Sequence, residues 1–205
     1  ENTCQDVSAQ TTHFKLLGNS QALIDISDDL VATDYTNTSY NISKADISSV
    51  VIGIDVSSLG YEVFYNCSNL KSLTIPNSVT LIDASACKQC INLSSITIPD
   101  SVTSIGENAF AYCEAATSIT IPNSITIINY ATFADCNTIT SINIPKSITT
   151  IKKHGFINCI NLTSISFEEV SQLKQLIDGC FAGTKLESII IPKSVELIDG
   201  YVFRD

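Results

Sequence analysis

Cysteine is the residue type in this chain with the widest scope for chemistry, because a thiol can form a disulfide, bind zinc or act as a nucleophile. The 205-residue sequence has eight cysteines, and five of them recur every 23 residues, at Cys67, Cys90, Cys113, Cys136 and Cys159. A fixed period of this length is typical of a solenoid, in which consecutive repeats stack on one another. Identical side chains in a parallel stack point the same way, and this orientation does not suit a disulfide. We therefore predict that these five cysteines are buried, reduced thiols.

Cys87 and Cys90 also form a Cys-x-x-Cys pair, which is the spacing of thioredoxin-like redox sites and of zinc sites that have a second pair. The sequence has no second pair, and no strand-to-helix pattern surrounds the first. Cys90 belongs to the repeating column and Cys87 stands where most repeats have phenylalanine, so we interpret both as structural. Cys4 and Cys180 lie outside the column, and Cys4 is a candidate for a disulfide near the N-terminus. The cysteines therefore predict no metal site and no cofactor.

Groups suited to acid-base catalysis are few. The two histidines, His13 and His154, lie in different parts of the chain, and neither accompanies a nucleophile motif, a phosphate loop or a His-Glu metal motif. Glu168 and Glu169 are adjacent in sequence, and adjacent residues on a strand point to opposite faces. We expect that this protein is not an enzyme.

Short polar side chains also recur at the 23-residue step. They alternate with isoleucine at period two, so they point outward from a strand whose other face is buried. Rows of hydroxyls on a stiff sheet suit recognition of an extended protein segment or a glycan by many weak contacts; the simpler alternative is a soluble surface that favours strands. The predicted ligand-binding residues are Ser95, Thr97, Ser118, Thr120, Ser141, Asn143, Ser164, Ser166 and Glu168. The irregular segment 168–175 is a second candidate.

The repeating unit predicts how these side chains are positioned. In the copy from Cys90 to Tyr112, Ser95-Ile96-Thr97-Ile98 is typical of a short strand, and Pro99 ends it. Val102 and Phe110 follow at wider spacing in the second half of the unit. Stacked copies would place their strands about 4.8 Å apart in a parallel sheet. We expect an α/β-type repeat solenoid with a parallel sheet on the concave side and turns or short helical segments on the convex side.

Two parts are expected along the chain. Residues 1–43 do not follow the period and are predicted to form an N-terminal cap, with strands near residues 14–17 and 23–26. Residues 44–205 form about seven 23-residue units, of which the sixth is irregular because Glu168 replaces proline and an insertion follows it. The last unit has a core residue, Phe203, close to the C-terminus, so we expect that the native protein continues beyond it.

Composition narrows the possible partners. The net charge is −10 and the sequence contains no basic cluster, so nucleic acid is not an expected partner. No segment approaches the roughly 20 apolar residues that span a bilayer, so any membrane anchor is expected outside these residues. Four aspartates between residues 25 and 34 lack the glycine and the ligand spacing of a calcium loop, and we interpret them as solvated.

The repeat resembles the BspA-like leucine-rich repeat family, whose units read Leu-x-Ser-Ile-x-Ile-Pro-x-Ser-Val-x-x-Ile-Gly-x-x-Ala-Phe-x-x-Cys. Residues 95–113 match this pattern almost throughout, the match covers residues 67–205 well, and residues 44–66 follow it loosely. The resemblance implies surface proteins of bacteria and protozoan parasites that adhere to host cells, matrix proteins or other microbes. It does not identify a ligand, because one repeat scaffold serves many functions.

Two functions remain open. The first is a cell-surface or secreted binding module whose partner is a host or microbial surface protein, a matrix protein or a glycan, with self-association also possible. The second is a structural spacer that presents another domain and binds nothing itself. Substitutions that abolish a binding function should cluster on one face, whereas a spacer should depend only on the number of repeats.

Overall fold

The computed structural model describes residues 12–17, 21–26, 47–54 and 56–204. This part of the chain consists of short strands and turns and contains no helix. Two antiparallel strands, β1 (Thr12–Leu17) and β2 (Gln21–Ile26), precede the repeats and include the segments for which strands were predicted. Cys4, and with it the predicted N-terminal disulfide, lies outside the described residues.

The first half of each unit forms a column of parallel strands, as predicted. Within the described residues these strands are β3 (Ser49–Ile52), β5 (Ser72–Thr74), β7 (Ile96–Thr97), β9 (Ile119–Thr120), β11 (Ser141–Ile144) and β13 (Ser164–Phe167). In the pairs β3–β5, β7–β9 and β11–β13, equivalent residues of successive repeats lie opposite each other, as Ser141 does to Ser164. β5 and β7, and β9 and β11, are neighbours in the column but do not pair as strands. At the N-terminal end, β2 pairs in parallel with β3, so β1 and β2 extend this sheet.

The second half of each unit forms another column of strands, and the predicted short helical segments are absent from the described residues. The strands are β4 (Ser58–Leu59), β6 (Leu81–Ile82), β8 (Ser104–Ile105), β10 (Ile127–Ile128), β12 (Thr150–Ile151), β14 (Gln175–Leu176) and β15 (Leu197–Ile198). Of the predicted turns or short helical segments, the turns are present and the helical alternative was wrong. The backbone finds its partners in the neighbouring coil instead: the Gly106 N–H donates to the Ile82 carbonyl oxygen at 2.7 Å. Such bonds replace the bonds within a turn that a helix needs.

A stack of turns completes each coil. Residues with positive φ recur there in two columns, the first containing Glu62, Ser85, Asn108, Ala131, His154, Gly179 and Tyr201, and the second Asn66, Gln89, Tyr112, Asp135, Asn158 and Gly183. Their left-handed backbone directs alternate N–H groups toward the next coil, where the Phe110 N–H donates to the Thr132 carbonyl oxygen at 2.9 Å. The turns are therefore hydrogen-bonded between coils, as the strands are.

Phenylalanine and cysteine ladders fill the core. Phe110, Phe133, Phe156 and Phe181 are fully buried, and consecutive rings stack with centroids 5.3–5.9 Å apart. The five cysteines of the repeating column are buried and free, as are Cys87 and Cys180. Four of the column's thiols donate to a carbonyl oxygen of the preceding coil, as Cys159 does to Phe133 at 3.3 Å. This bond is a role for the cysteine column that the repeat pattern alone did not indicate.

The stack changes step near its C-terminal end. Phe133 and Phe156 are 23 residues apart, Phe156 and Phe181 are 25 apart, and Phe181 and Phe203 are 22 apart. The aromatic stack nevertheless continues, with 6.0 Å between the rings of Phe181 and Phe203. The extra residues are therefore accommodated at the surface, within what we call the irregular region, residues 160–203; residues 67–159 are the regular coils.

Candidate functional site

The structure places eight of the nine predicted binding residues on one exposed surface, which we call the hydroxyl face: residues 95, 97, 118, 120, 141, 143, 164 and 166. The side chains between them, such as Ile96 and Ile142, are buried, so each strand has one core face and one solvent face. The strand register places Thr97 opposite Thr120, and Asn143 opposite Ser166. Within each of these two pairs of coils, hydroxyl and amide groups therefore lie side by side.

Hydrogen bonding divides the polar side chains of the repeats into two groups. The hydroxyls of Thr103, Thr117 and Thr163 donate to carbonyl oxygens of the preceding coil, so they hold the stack together. Six side chains of the hydroxyl face make no hydrogen bond to any other described residue: Ser95, Thr97, Ser118, Thr120, Ser141 and Ser164. The hydroxyl face thus has donors and acceptors that a ligand can use.

The remaining three predicted residues bond to one another. The Ser166 hydroxyl donates to Asn143 Oδ1 at 2.9 Å, and Asn143 Nδ2 donates to Glu168 Oε1 at 3.4 Å. Glu168 Oε2 accepts from the backbone N–H of Lys146 at 3.2 Å. Glu168 occupies the place that proline holds in the regular repeats, and its half-buried carboxylate ties the irregular region to the preceding coil. Its neighbour Glu169 is exposed.

A cleft of about 650 Å³ opens in the irregular region, between β13 and the segment 188–193. The segment is held at its two ends, where Lys185 N donates to Leu162 O and Glu196 N donates to Lys174 O. Between those anchors, no backbone hydrogen bond among the described residues joins residues 188–193 to the preceding coil, although Ile191 packs against the core. The cleft is lined by Thr163, Ser164, Ile165, Ser166, Phe167, Glu168, Val170, Ser171, Ser188, Ile189, Ile190, Pro192 and Lys193.

The rims of this cleft have features that the residue pattern alone did not reveal. Val170 and Ile190 are both 89% exposed, and they lie on its two walls. Val170 also has φ 58°, outside the two turn columns and in a conformation that a β-branched side chain rarely adopts. The sequence does mark Ile190 as unusual, because five preceding units have a hydroxyl or amide side chain at the equivalent position.

Burial makes the thiols poor nucleophiles. It raises the pKa of Cys159 and of Cys180 to about 12, and it raises the pKa of Cys136 well above the ordinary value. The pKa of Cys87 is also raised, first by its hydrogen bond with Cys90 and then by burial. A redox-active Cys-x-x-Cys pair needs a lowered thiol pKa, so the structural interpretation of Cys87 and Cys90 is the better one.

Within residues 12–17, 21–26, 47–54 and 56–204, no group of three or more His, Cys, Asp or Glu side chains is arranged to hold a metal ion. The same part of the chain has no helix of the length and hydropathy needed to cross a bilayer.

Comparison with known proteins agrees with the repeat architecture. A family model described as BspA type leucine rich repeat region matches residues 36–90 and 80–205, with six copies. No curated protein matches the chain.

Solved structures of bacterial proteins share the fold. A leucine-rich repeat protein from Bacteroides ovatus has 23% identity and a TM-score of 0.64, with 97% of this chain and 62% of that one covered. One from Eubacterium ventriosum has 26% identity and a TM-score of 0.69, covering 77% and 42%. The T. pallidum leucine-rich repeat protein has 18% identity and a TM-score of 0.69, covering 90% and 92%. This chain thus spans less than two thirds of the first two proteins. Since the family model matches well over half of the chain, and the described coils repeat its unit, the protein belongs to the BspA-type leucine-rich repeat family.

Proposed function

We propose that this protein is a binding module, displayed on the cell surface or secreted, that mediates adhesion through the hydroxyl face. Its partner is a host or microbial surface protein, a matrix protein or a glycan. The observation that carries the proposal is the set of exposed hydroxyls that repeat from coil to coil and make no hydrogen bond within the described part of the chain. Family membership supports the location, because the resemblance implies surface proteins.

The geometry of the hydroxyl face suits an extended ligand. Each of its coils offers a serine and a second short polar side chain, and backbone hydrogen bonds between coils hold these pairs in register. A contact through one hydroxyl contributes only about 1 kcal/mol, so useful affinity requires several coils to act together. Affinity should therefore increase with the number of coils that a ligand spans.

A double substitution on the hydroxyl face tests this function. Thr97→Arg with Thr120→Arg places two long charged side chains on neighbouring coils, at exposed positions whose hydroxyls hold no other described residue. The matched control is Ser104→Arg with Ile127→Arg, which adds the same charge at exposed positions of the second strand column. Binding to matrix proteins, glycan arrays and host-cell monolayers should fall with the first variant only, while both retain the thermal unfolding midpoint.

The stacked backbone also suits the alternative function of a rigid spacer, since strands and turns are both bonded from coil to coil. The same experiment separates the two. Loss of binding with the control variant alone would contradict the hydroxyl face as the site, and unchanged binding with both variants would favour the spacer.

A further inference from the structure

We propose that the cleft between β13 and residues 188–193 binds an extended, uncharged peptide segment of a partner protein, which adds to the open edge of β13 as a strand. This site adjoins the end of the hydroxyl face, since Ser164 and Ser166 line it, but it differs in position and chemistry from the free hydroxyls of residues 95–120. The inference relies on the proposed function only in requiring a protein partner.

The edge of β13 provides the main argument. Where β7 pairs with β9 in the regular coils, the Ile96 N–H donates to Ser118 O at 3.0 Å and the Ile98 N–H donates to Thr120 O at 3.4 Å, each in the next coil. β5 and β9 are not paired with the strand of the next coil either, but at β13 the edge borders the cleft. Ile165 and Phe167 occupy the corresponding positions of β13. Among the described residues, no backbone hydrogen bond joins these two to the segment 188–193.

The other edge of β13 is paired with β11, which fixes the direction of the open groups. Successive residues of a strand within a parallel sheet direct their backbone N–H and C=O groups alternately to the neighbour on one side and to the neighbour on the other. In β13 and just after it, Ser164 and Glu168 donate to the β11 side. The N–H and C=O groups of Ile165 and Phe167 therefore face the cleft. The spacing of these donors and acceptors matches the backbone of another extended chain, and a strand edge of this kind is a template for pairing.

The walls of the cleft specify the side chains of the occupant. Ile165 and Phe167 are only partly buried, and the rims carry the strongly exposed Val170 and Ile190. Contiguous exposed apolar surface of this kind is typical of interaction sites. Glu168 and Lys193 are the charged residues that line the cleft, one of each sign, and Glu168 is already hydrogen-bonded. An uncharged peptide with aliphatic side chains fits these walls better than a glycan or a charged segment does.

The size of the cleft agrees with such a ligand. A volume of about 650 Å³ lies within the range of roughly 300–1,000 Å³ that ligand sites usually have. β13 itself has four residues, so it can pair with a short stretch of peptide. The left-handed backbone of Val170 holds its side chain at the rim, and strained residues of this kind concentrate at binding sites.

Fluorescence polarisation with a labelled synthetic peptide, Thr-Ser-Ile-Thr-Ile-Pro, tests the proposal on the whole chain. The peptide copies residues 117–122, the segment that forms this strand in a regular coil. An analogue that is N-methylated at the serine and at the second threonine, whose N–H groups would face β13, keeps the side chains but cannot pair as a strand. We expect the peptide to bind and the analogue not to bind, and hydrogen exchange should slow at Ile165 and Phe167 when the peptide is present.

Variants locate the site. Ile190→Asp places a charge at the rim and should weaken peptide binding by about tenfold or more, whereas Ile160→Asp, at an exposed position away from the cleft, should not. Absence of binding, equal binding of the analogue, or equal loss with both variants would overturn the proposal. If the protein dimerises with increasing concentration and hydrogen exchange slows at Ile165 and Phe167 in the dimer, the occupant of the cleft is a second copy of this chain and the peptide proposal is overturned. Adhesion of the Thr97→Arg, Thr120→Arg variant is measured separately, so failure of the hydroxyl face and failure of the cleft are distinguishable.

Discussion

The regular coils and the irregular region contain the same ladders but differ in what they expose. In residues 67–159, every unit has the same length and the first strand column presents only short polar side chains. In residues 160–203, two extra residues enter one unit, the aromatic stack persists, and the strand column opens into a cleft. The difference shows that the core ladder determines the stacking and that the surface absorbs changes in length. A solenoid can thus acquire an individual site without disturbing its core.

The largest expected effect concerns the shared core. Phe133→Ala leaves a cavity between Phe110 and Phe156, whose coils cannot collapse into it, and should lower the free energy of unfolding by about 3–5 kcal/mol in urea titration. Phe203→Ala, at a ring that is 40% exposed, should cost less. Equal losses would mean that the ladder is no more tightly packed in the regular coils than at Phe203.

The backbone of Val170 offers a test from the irregular side. Val170→Gly relieves a left-handed conformation at a side chain that is almost fully exposed, so the free energy of unfolding should rise by about 1 kcal/mol. Ile190→Gly is the control, because Ile190 is equally exposed and has no positive φ. A gain from the control as large as that from Val170→Gly would show that strain relief is not the cause.

The thiols of the cysteine ladder should react very slowly with thiol reagents in the folded protein. Thiol titration at pH 8 should proceed slowly, because the thiols are buried and the pKa values of Cys159 and Cys180 are about 12. After unfolding in denaturant without reductant, at least the seven described cysteines should react. A lower count would mean that the ladder pairs into disulfides and that its parallel orientation is wrong.

The smallest effect lies in a regular turn. Burial raises the pKa of Asp135 above its unfolded value despite the hydrogen bond from Asn158, so the ionised carboxylate destabilises the fold. That contribution to stability is present below the unfolded pKa and is lost as pH rises through the folded pKa. Asp135→Asn should therefore stabilise at pH 7, and its advantage should shrink as the pH is lowered to 3. A constant difference in thermal midpoint across this range would exclude the charge as the cause.

The free hydroxyls and the structural threonines show how far residue patterns reach. Thr97 and Thr103 belong to the same unit, both are exposed, and both recur at the period. Alternation with isoleucine correctly predicted that Thr97 points outward from a strand. Only the neighbouring coil shows that Thr103 donates to a carbonyl oxygen while Thr97 has no such partner among the described residues. What a hydroxyl does depends on whether a carbonyl oxygen of the neighbouring coil lies within hydrogen-bonding distance, and the repeat period does not give that distance.

The sequence by itself determined the solenoid, its first strand column, its buried thiols and the place where the period breaks, because each of these follows from which residue types recur and at what step. Tertiary structure decided the rest. The second half of the unit forms strands rather than helices because its N–H groups meet carbonyl oxygens one coil away. A cleft opens at the irregular unit because the aromatic stack continues while residues 188–193 make no backbone hydrogen bond to β13. Both outcomes depend on contacts between coils, which no single repeat specifies.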